Sequence, residues 1–301
     1  MEISKHTKGV LITLLGVIII TPDTLLIRLV SADQWTNLFW RGGLSGVTIL
    51  VALALIYKQT FLSRIRAMGM PGLWFTIISA IGSVAFILAV KLTTVANALF
   101  IISISPLFSA LISRFILKQH IHARIWWAIF SALVGISIIA WGTFQGEGNG
   151  TLFGDVAALI AALSLALIFS IANHYHDRDM VPAMAFANLL SALVALPLIP
   201  AMNIFGSIDG QDILWLGLMG FIVVPLSFSL LTIGPRYLPA PEVGLFLLLE
   251  AVIGPYWVWL VLGEHPGDMT IIGGAIILST LTVMNIFAIL QGRRKRARMV
   301  A

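Results

Sequence analysis

The chain has 301 residues, 59% of them hydrophobic and 10% charged, with a formal net charge of +5 and no cysteine. Soluble domains carry roughly 25% charged residues, so there are too few polar side chains here to cover a soluble surface, and the lack of cysteine excludes disulfides, thiolate catalysis and cysteine-ligated metals. The positive charge does not point to nucleic acid, because apolar runs of membrane length interrupt the basic residues throughout.

A helical bilayer crossing takes about 20 mostly apolar residues, and ten such segments follow one another. The first, near 8–30, contains Thr21-Pro22-Asp23, with Arg28 towards its end. Proline removes a backbone donor and frees the carbonyl four residues back. A broken helix beside a carboxylate is a common way to build a polar midplane site, so Asp23 and Arg28 are candidate binding groups. The competing reading is a pair, Asp23 with Arg28 or with Arg41, that fixes packing only. Lys5 and Lys8 before this run and Val30-Ser31-Ala32 after it have the pattern of a signal peptide. The run is longer than an h-region, however, and cleavage would destroy the repeat described below.

The second segment, 36–57, carries Trp40-Arg41 near its start. Arg41 either grips a substrate carboxylate with two hydrogen bonds or snorkels to the outer headgroups; its place near the segment end favours snorkelling. Gly42, Gly43 and Gly46 form a small-residue surface for close helix packing. Segment three, 71–91, holds Ser79 and Ser83; segment four, 95–117, holds Asn97, Ser103 and Pro106; segment five, 123–142, holds Gly135. Segment six, 153–173, carries Ser164 and runs into His174, His176, Asp177 and Asp179, an interfacial cluster with too few ligands in reach for a metal. Segment seven is 182–202, and segment eight, 211–234, contains Pro225 and Ser227. Segment nine, 240–262, places Glu250 near its middle among Leu247, Leu248, Leu249 and Val252, followed by Pro255, Tyr256, Trp257 and Trp259. Segment ten, 269–291, carries Gly273-Gly274 near its start.

An ionisable side chain inside a span costs about 2.5–3.5 kcal/mol on insertion scales. Glu250 is therefore either a proton-coupling or substrate-amine site, or a structural carboxylate bonded to a nearby helix end or hydroxyl. Ser79, Ser83, Asn97, Ser103, Ser164 and Ser227 bond their own or neighbouring helices, or line a cavity. Pro22, Pro106, Pro225 and Pro255 are hinges or static bends, and Tyr256 belongs to an aromatic gate or, more simply, to a lipid belt.

Basic residues favour cytoplasmic loops. With a cytoplasmic N-terminus, only Arg28, Arg41 and Lys91 of the 18 basic residues fall on the outer side, where Asp33, Glu147, Asp209, Asp212, Glu264 and Asp268 collect. Both termini are then cytoplasmic, which requires an even number of spans. Trp35, Trp40, Trp141 and Trp215 fall near outer boundaries and Trp74, Trp126 and Trp127 near inner ones, as interfacial anchors do. The basic tail Arg293–Arg298 suits anionic lipid.

The segments repeat with a shift of about 145 residues, which carries Gly9 to Gly154, Ser105-Pro106 to Glu250-Ala251 and Gln119 to Glu264. This divides the chain into repeats at 1–147 and 148–301. Five spans is an odd number, so the second copy enters from the opposite side. Inverted repeats of this kind are characteristic of transporters that expose a midplane site alternately to each side. The fold class is thus an all-α polytopic membrane protein of ten transmembrane helices in two inverted-topology five-helix repeats.

The layout, together with Leu99–Gln119 around Ser105-Pro106 and the stretch Pro241-Glu242-Val243-Gly244, Leu248-Leu249-Glu250 and Leu262-Gly263-Glu264, resembles the drug/metabolite transporter superfamily in its ten-span EamA-like branch. Ala251 stands where the family has a proline, Lys118-Gln119 where Gly-Glu is common, and Thr21-Pro22-Asp23 where a Trp-Gly type of pair is frequent. The resemblance implies a secondary transporter of a bacterial inner membrane that exports small metabolites such as amino acids by alternating access. Related carriers of that fold take nucleotide sugars or drugs. The expected partners are a small-molecule substrate, the lipid bilayer and, as coupling ion, protons, with no cofactor and no nucleic acid. An intramembrane lipid-modifying enzyme needs clustered reactive groups, and the ionisable residues here lie on separate spans. A channel is a third reading. Without a Walker-type loop, direct ATP drive has no support.

Overall fold

A computed structural model describes residues 5–115, 123–146, 150–200, 204–205, 208–238 and 240–283. Lys118-Gln119, Glu147 and the basic tail lie outside them. The helices are α1 (Lys5–Ile20), α2 (Asp23–Leu29), α3 (Gln34–Tyr57), α4 (Phe61–Leu92), α5 (Val95–Ile102), α6 (Ser105–Phe115), α7 (Ala123–Phe144), α8 (Leu152–His174), α9 (Val181–Ala195), α10 (Gly210–Leu218), α11 (Val224–Ile233) and α12 (Ala240–Leu262), with α13 (Asp268–Val283) last. Three crossings are broken helices: α1 with α2, α5 with α6, and α10 with α11. The run Gln34–Leu92 contains two crossings, α3 and α4, because Lys58 turns the chain with a φ of 47°. Among the described residues the bundle thus has ten crossings.

The breaks follow from sequence. Pro22 cannot donate to the Ile18 carbonyl, and the Thr21 hydroxyl donates to it instead at 2.9 Å, so the interruption leaves no orphaned acceptor. A π-helical turn, Met219–Val223, precedes Pro225 and joins α10 to α11, one of the recognised ways of bending a helix. Pro255 lies within the continuous helix α12. Helix starts are capped: Asp33 accepts from the Trp35 and Thr36 amides, Thr94 from the Asn97 amide and Thr151 from the Gly154 amide. Each cap contributes about 1 kcal/mol.

Helix packing repeats the 145-residue shift. α1 packs along α11, and α8 packs along α4, the same pairing with the repeats exchanged. α3 packs on α9, its own equivalent. A Cβ on Gly42 would come within 2.7 Å of the Asn188 carbonyl, and one on Gly46 within 2.6 Å of Leu189 Cγ, so the glycines set how closely α3 and α9 approach. Gly135 and Gly273 meet in the same way between α7 and α13, where Ser131 and Thr280 share a hydrogen bond of 2.8 Å.

Large apolar side chains such as Leu55, Trp127 and Phe144 point outward, as lipid-facing residues do. Trp74, Trp126, Trp127 and Trp141 are exposed. Trp35, Trp40 and Trp215 instead pack against the core, and Trp40 Nε1 donates to the Ile204 carbonyl at 2.8 Å. All three remain partly exposed, so this packing adds to the interfacial placement expected of them.

Candidate functional site

A cavity of about 80 Å³ lies at mid-depth between the two repeats, with room for several waters. Its polar lining is Arg41 from α3, Ser79 and Ser83 from α4, Ser164 from α8, Asn188 from α9 and Glu250 from α12. Ile20, Phe86, Ile168, Phe228 and Leu247 are among its apolar walls. A larger hollow beside α4, α8 and α9, lined by Ile81, Phe153 and Val194 among others, is almost wholly apolar.

Arg41 is 1% exposed. It donates to Asp23 through Nε at 3.3 Å and Nη2 at 2.7 Å, and Asp23 is itself fully buried. The break at Pro22 makes this possible, because it places Asp23 at the start of a new helix facing α3. The guanidinium also lies 5.7 Å from the Phe86 ring and 6.0 Å from the Phe228 ring, within cation–π range. The snorkelling reading of Arg41 is therefore overturned. A buried carboxylate within hydrogen-bond reach outcompetes the path to the headgroups, which the position along the span did not reveal. Of the two pairs considered for Asp23, the one with Arg41 forms.

Nη1 of Arg41 makes no hydrogen bond among the described residues. Ser79 Oγ, Ser83 Oγ and Asn188 Nδ2 are buried without partners among the described residues, a costly arrangement of about 1–3 kcal/mol per group unless something in the cavity satisfies them. Glu250 also lines a smaller adjoining hollow with Ser103 and makes no hydrogen bond among the described residues. It lies within electrostatic reach of both Asp23 and Arg41. Arg41 is taken up by Asp23, so Glu250 is the carboxyl of the cavity lining that has no cation of its own.

The remaining candidates lie elsewhere. Arg28 is at the face away from the N-terminus, hereafter the far face, where Nη2 donates to the Thr93 carbonyl at 2.6 Å and meets Glu264 at 3.4 Å. Asn97 is buried in a network around Asp155. Ser103 and Ser227 donate to carbonyls of their own helices. Tyr256 is exposed, beside Trp257 and Trp259. His174 stacks edge-on against Tyr175, and the His176 carbonyl accepts from Arg236.

Both faces are tied by polar contacts. At the far face, Lys91 donates to the Val30 and Ala32 carbonyls, Ser31 donates to Asp212, and the Val95 amide donates to Glu264 at 2.8 Å. At the N-terminal face, the Tyr57 hydroxyl donates to Asp179, Arg178 to the Met68 carbonyl and Asn173 to the Pro235 carbonyl.

Sequence reasoning passed over Asn188, Phe86, Phe228 and Asp155. Asp155 is an ionisable residue inside a span and Asn188 an amide inside another, and that alone is a signal. The two phenylalanines carry none, because only the helix packing distinguishes a cavity wall from a lipid contact.

The model of the EamA-like transporter family matches residues 7–141 and again 152–286. The uncharacterized transporter YdfC of Bacillus subtilis is 25% identical over 191 residues, 62% of this chain. That match spans 61% of the relative's own length. The pseudopaline exporter CntI of Pseudomonas aeruginosa is 23% identical over 92% of this chain and 96% of its own. A solved crystal structure superposes with a TM-score of 0.60 over 94% of this chain and 98% of the other at 18% identity, a likeness of fold.

Proposed function

We propose a function from the premise that the chain belongs to the EamA-like transporter family: it is a secondary transporter that exports small metabolites, amino acids among them, by alternating access. The observation that carries this reading is the cavity between the repeats, with its unpartnered Ser79, Ser83 and Asn188 groups. A central site at the interface of inverted repeats is where such transporters bind substrate. In this reading Glu250 holds a substrate ammonium or a coupling proton. The free edge of Arg41, with Asn188 Nδ2, holds a carboxylate, and Asp23 fixes the guanidinium. The division into units at 1–147 and 148–301, the bacterial inner membrane and the cytoplasmic termini belong to the same proposal. The loop charge asymmetry supports the orientation.

Proteoliposomes loaded with radiolabelled amino acids, and separately with a panel of organic cations, anions and sugars, test it. Saturable efflux with counterflow is expected. Ohmic current without saturation, or no substrate-dependent flux across the panel, would overturn it. Proton coupling is read separately: Glu250→Gln abolishes pH-driven accumulation if Glu250 carries the proton, and unchanged pH dependence removes it from that role.

A further inference from the structure

The 145-residue shift that relates the repeats also relates two close glycine contacts at opposite faces, the first against side chains and the second against backbone. At the N-terminal face, a Cβ on Gly9 would lie 2.7 Å from Tyr237 Cβ and 2.8 Å from Leu238 Cγ. At the far face, a Cβ on Gly154 would lie 2.6 Å from the Thr93 amide nitrogen and 2.7 Å from the Leu92 carbonyl carbon. The shift carries Gly9 to Gly154, Leu92 to Tyr237 and Thr93 to Leu238. The first helix of each repeat thus presses a glycine onto the end of the third crossing of the other repeat. Thr151 reinforces the far contact by donating to the Leu92 carbonyl from its amide at 2.8 Å and its hydroxyl at 2.7 Å.

The two joints differ in one respect. Next to Gly9 stands Val10, packed against an apolar cluster. Next to Gly154, in the equivalent position, stands Asp155, 4% exposed. Thr93 Oγ1 donates to it at 2.6 Å, Thr143 Oγ1 at 2.9 Å and Asn97 Nδ2 at 3.3 Å. Thr270 Oγ1 donates to the other end of the Asn97 amide at 2.6 Å. These partners come from the end of α4, from α5, α7 and α13, and so belong to both repeats. No cation reaches the carboxylate among the described residues. Arg28 of α2 binds the Thr93 carbonyl, not Asp155, and pairs with Glu264, which also accepts from the Val95 amide; Lys91 of α4 is spent on the Val30 and Ala32 carbonyls, Asp268 of α13 is exposed, and described α5 side chains carry no charge.

We propose that these glycine contacts are the two closing joints of the carrier, and that Asp155 makes the far joint a proton-binding site, distinct from the central cavity. The proposal rests on the alternating-access reading. Closing the far joint around an ionised Asp155 buries a charge without a counter-charge, which is unfavourable; opening returns it to water. A proton taken from the far side onto Asp155 removes that charge. The network accommodates it, because the Thr143 hydroxyl has a second acceptor, the Ile139 carbonyl at 3.2 Å. Acid therefore closes the far joint, while the Val10 joint lacks such a response.

The chain contains no cysteine, so a single Ala98→Cys, at a fully buried position on α5, reports far-side opening through reaction with a bulky hydrophilic maleimide. The full-length protein is labelled in nanodiscs, and each rate is divided by that of a free peptide thiol at the same pH. The normalised rate is expected to fall at least about fivefold from about pH 8 to about pH 5. Adding Asp155→Asn, an uncharged isostere, holds the rate low at both pH values. Adding Gly154→Ala, which blocks closure, holds it high at both. A pH-independent rate in the parent, or pH dependence retained with Asp155→Asn, overturns the proton site while leaving alternating access intact. If no variant labels, Gly154→Ala included, the far joint does not open, and the alternating-access reading fails with it.

Discussion

Removing one partner of the Asp23–Arg41 pair should destabilise the protein far more than removing both. The pair is almost wholly enclosed, with Arg41 1% and Asp23 0% exposed, and two hydrogen bonds of 2.7 and 3.3 Å join them. Stripping a buried charge of its partner costs about 3–5 kcal/mol, whereas exchanging both members for apolar side chains of similar volume is often neutral. Asp23→Leu leaves the guanidinium against Phe86 and Phe228, whose cation–π attraction offsets about 1–2 kcal/mol at best. Glu250 is within electrostatic reach and relieves some of the rest, so about 3 kcal/mol is expected for Asp23→Leu. Arg41→Met strips Asp23 of its cation and leaves it within electrostatic reach of the Glu250 carboxyl, and about 5 kcal/mol is expected. The double variant should lie within about 1 kcal/mol of the parent. Equilibrium unfolding in mixed detergent micelles measures all three. The reasoning fails if Asp23→Leu costs less than about 1 kcal/mol, or if the double variant is as unstable as the worse single one.

Glycine joints give a second expectation. Gly9→Ala should slow labelling at the far face by favouring an open N-terminal face, opposite in sign to Gly154→Ala, as read with the Ala98→Cys reporter. Gly42→Ala should cost about 1–3 kcal/mol in the same unfolding assay, because its Cβ meets the rigid Asn188 carbonyl at 2.7 Å. Gly263, with a φ of 67° and nothing within 4 Å of an added Cβ, should lose only about 1 kcal/mol on change to alanine, from backbone strain alone. Asn188→Leu removes one donor facing the cavity, and substrate affinity should fall roughly fivefold, about 1 kcal/mol, without a comparable loss of stability.

The sequence made the membrane architecture legible because the bilayer imposes local requirements. Each crossing must be long, apolar and internally hydrogen-bonded, and the ten runs and their 145-residue spacing are visible residue by residue. The Pro22 break and the close approach at Gly42 and Gly46 were equally readable, since each depends on what one residue lacks: an amide hydrogen or a Cβ. What one span says about a polar residue stops at its depth. Depth alone sent Arg41 to the headgroups, and tertiary packing brought Asp23 within 2.7 Å and turned it inward. The same packing took Arg28 to Glu264 and Asn97 to Asp155, away from the cavity, and drew the unnoticed Asn188 into it. Composition and periodicity thus determined that this chain is a ten-helix inverted repeat in lipid. The close approach of helices distant in sequence decided which of its few polar groups meet, because hydrogen bonds and charge pairs act over a few ångströms that no spacing along one helix can specify.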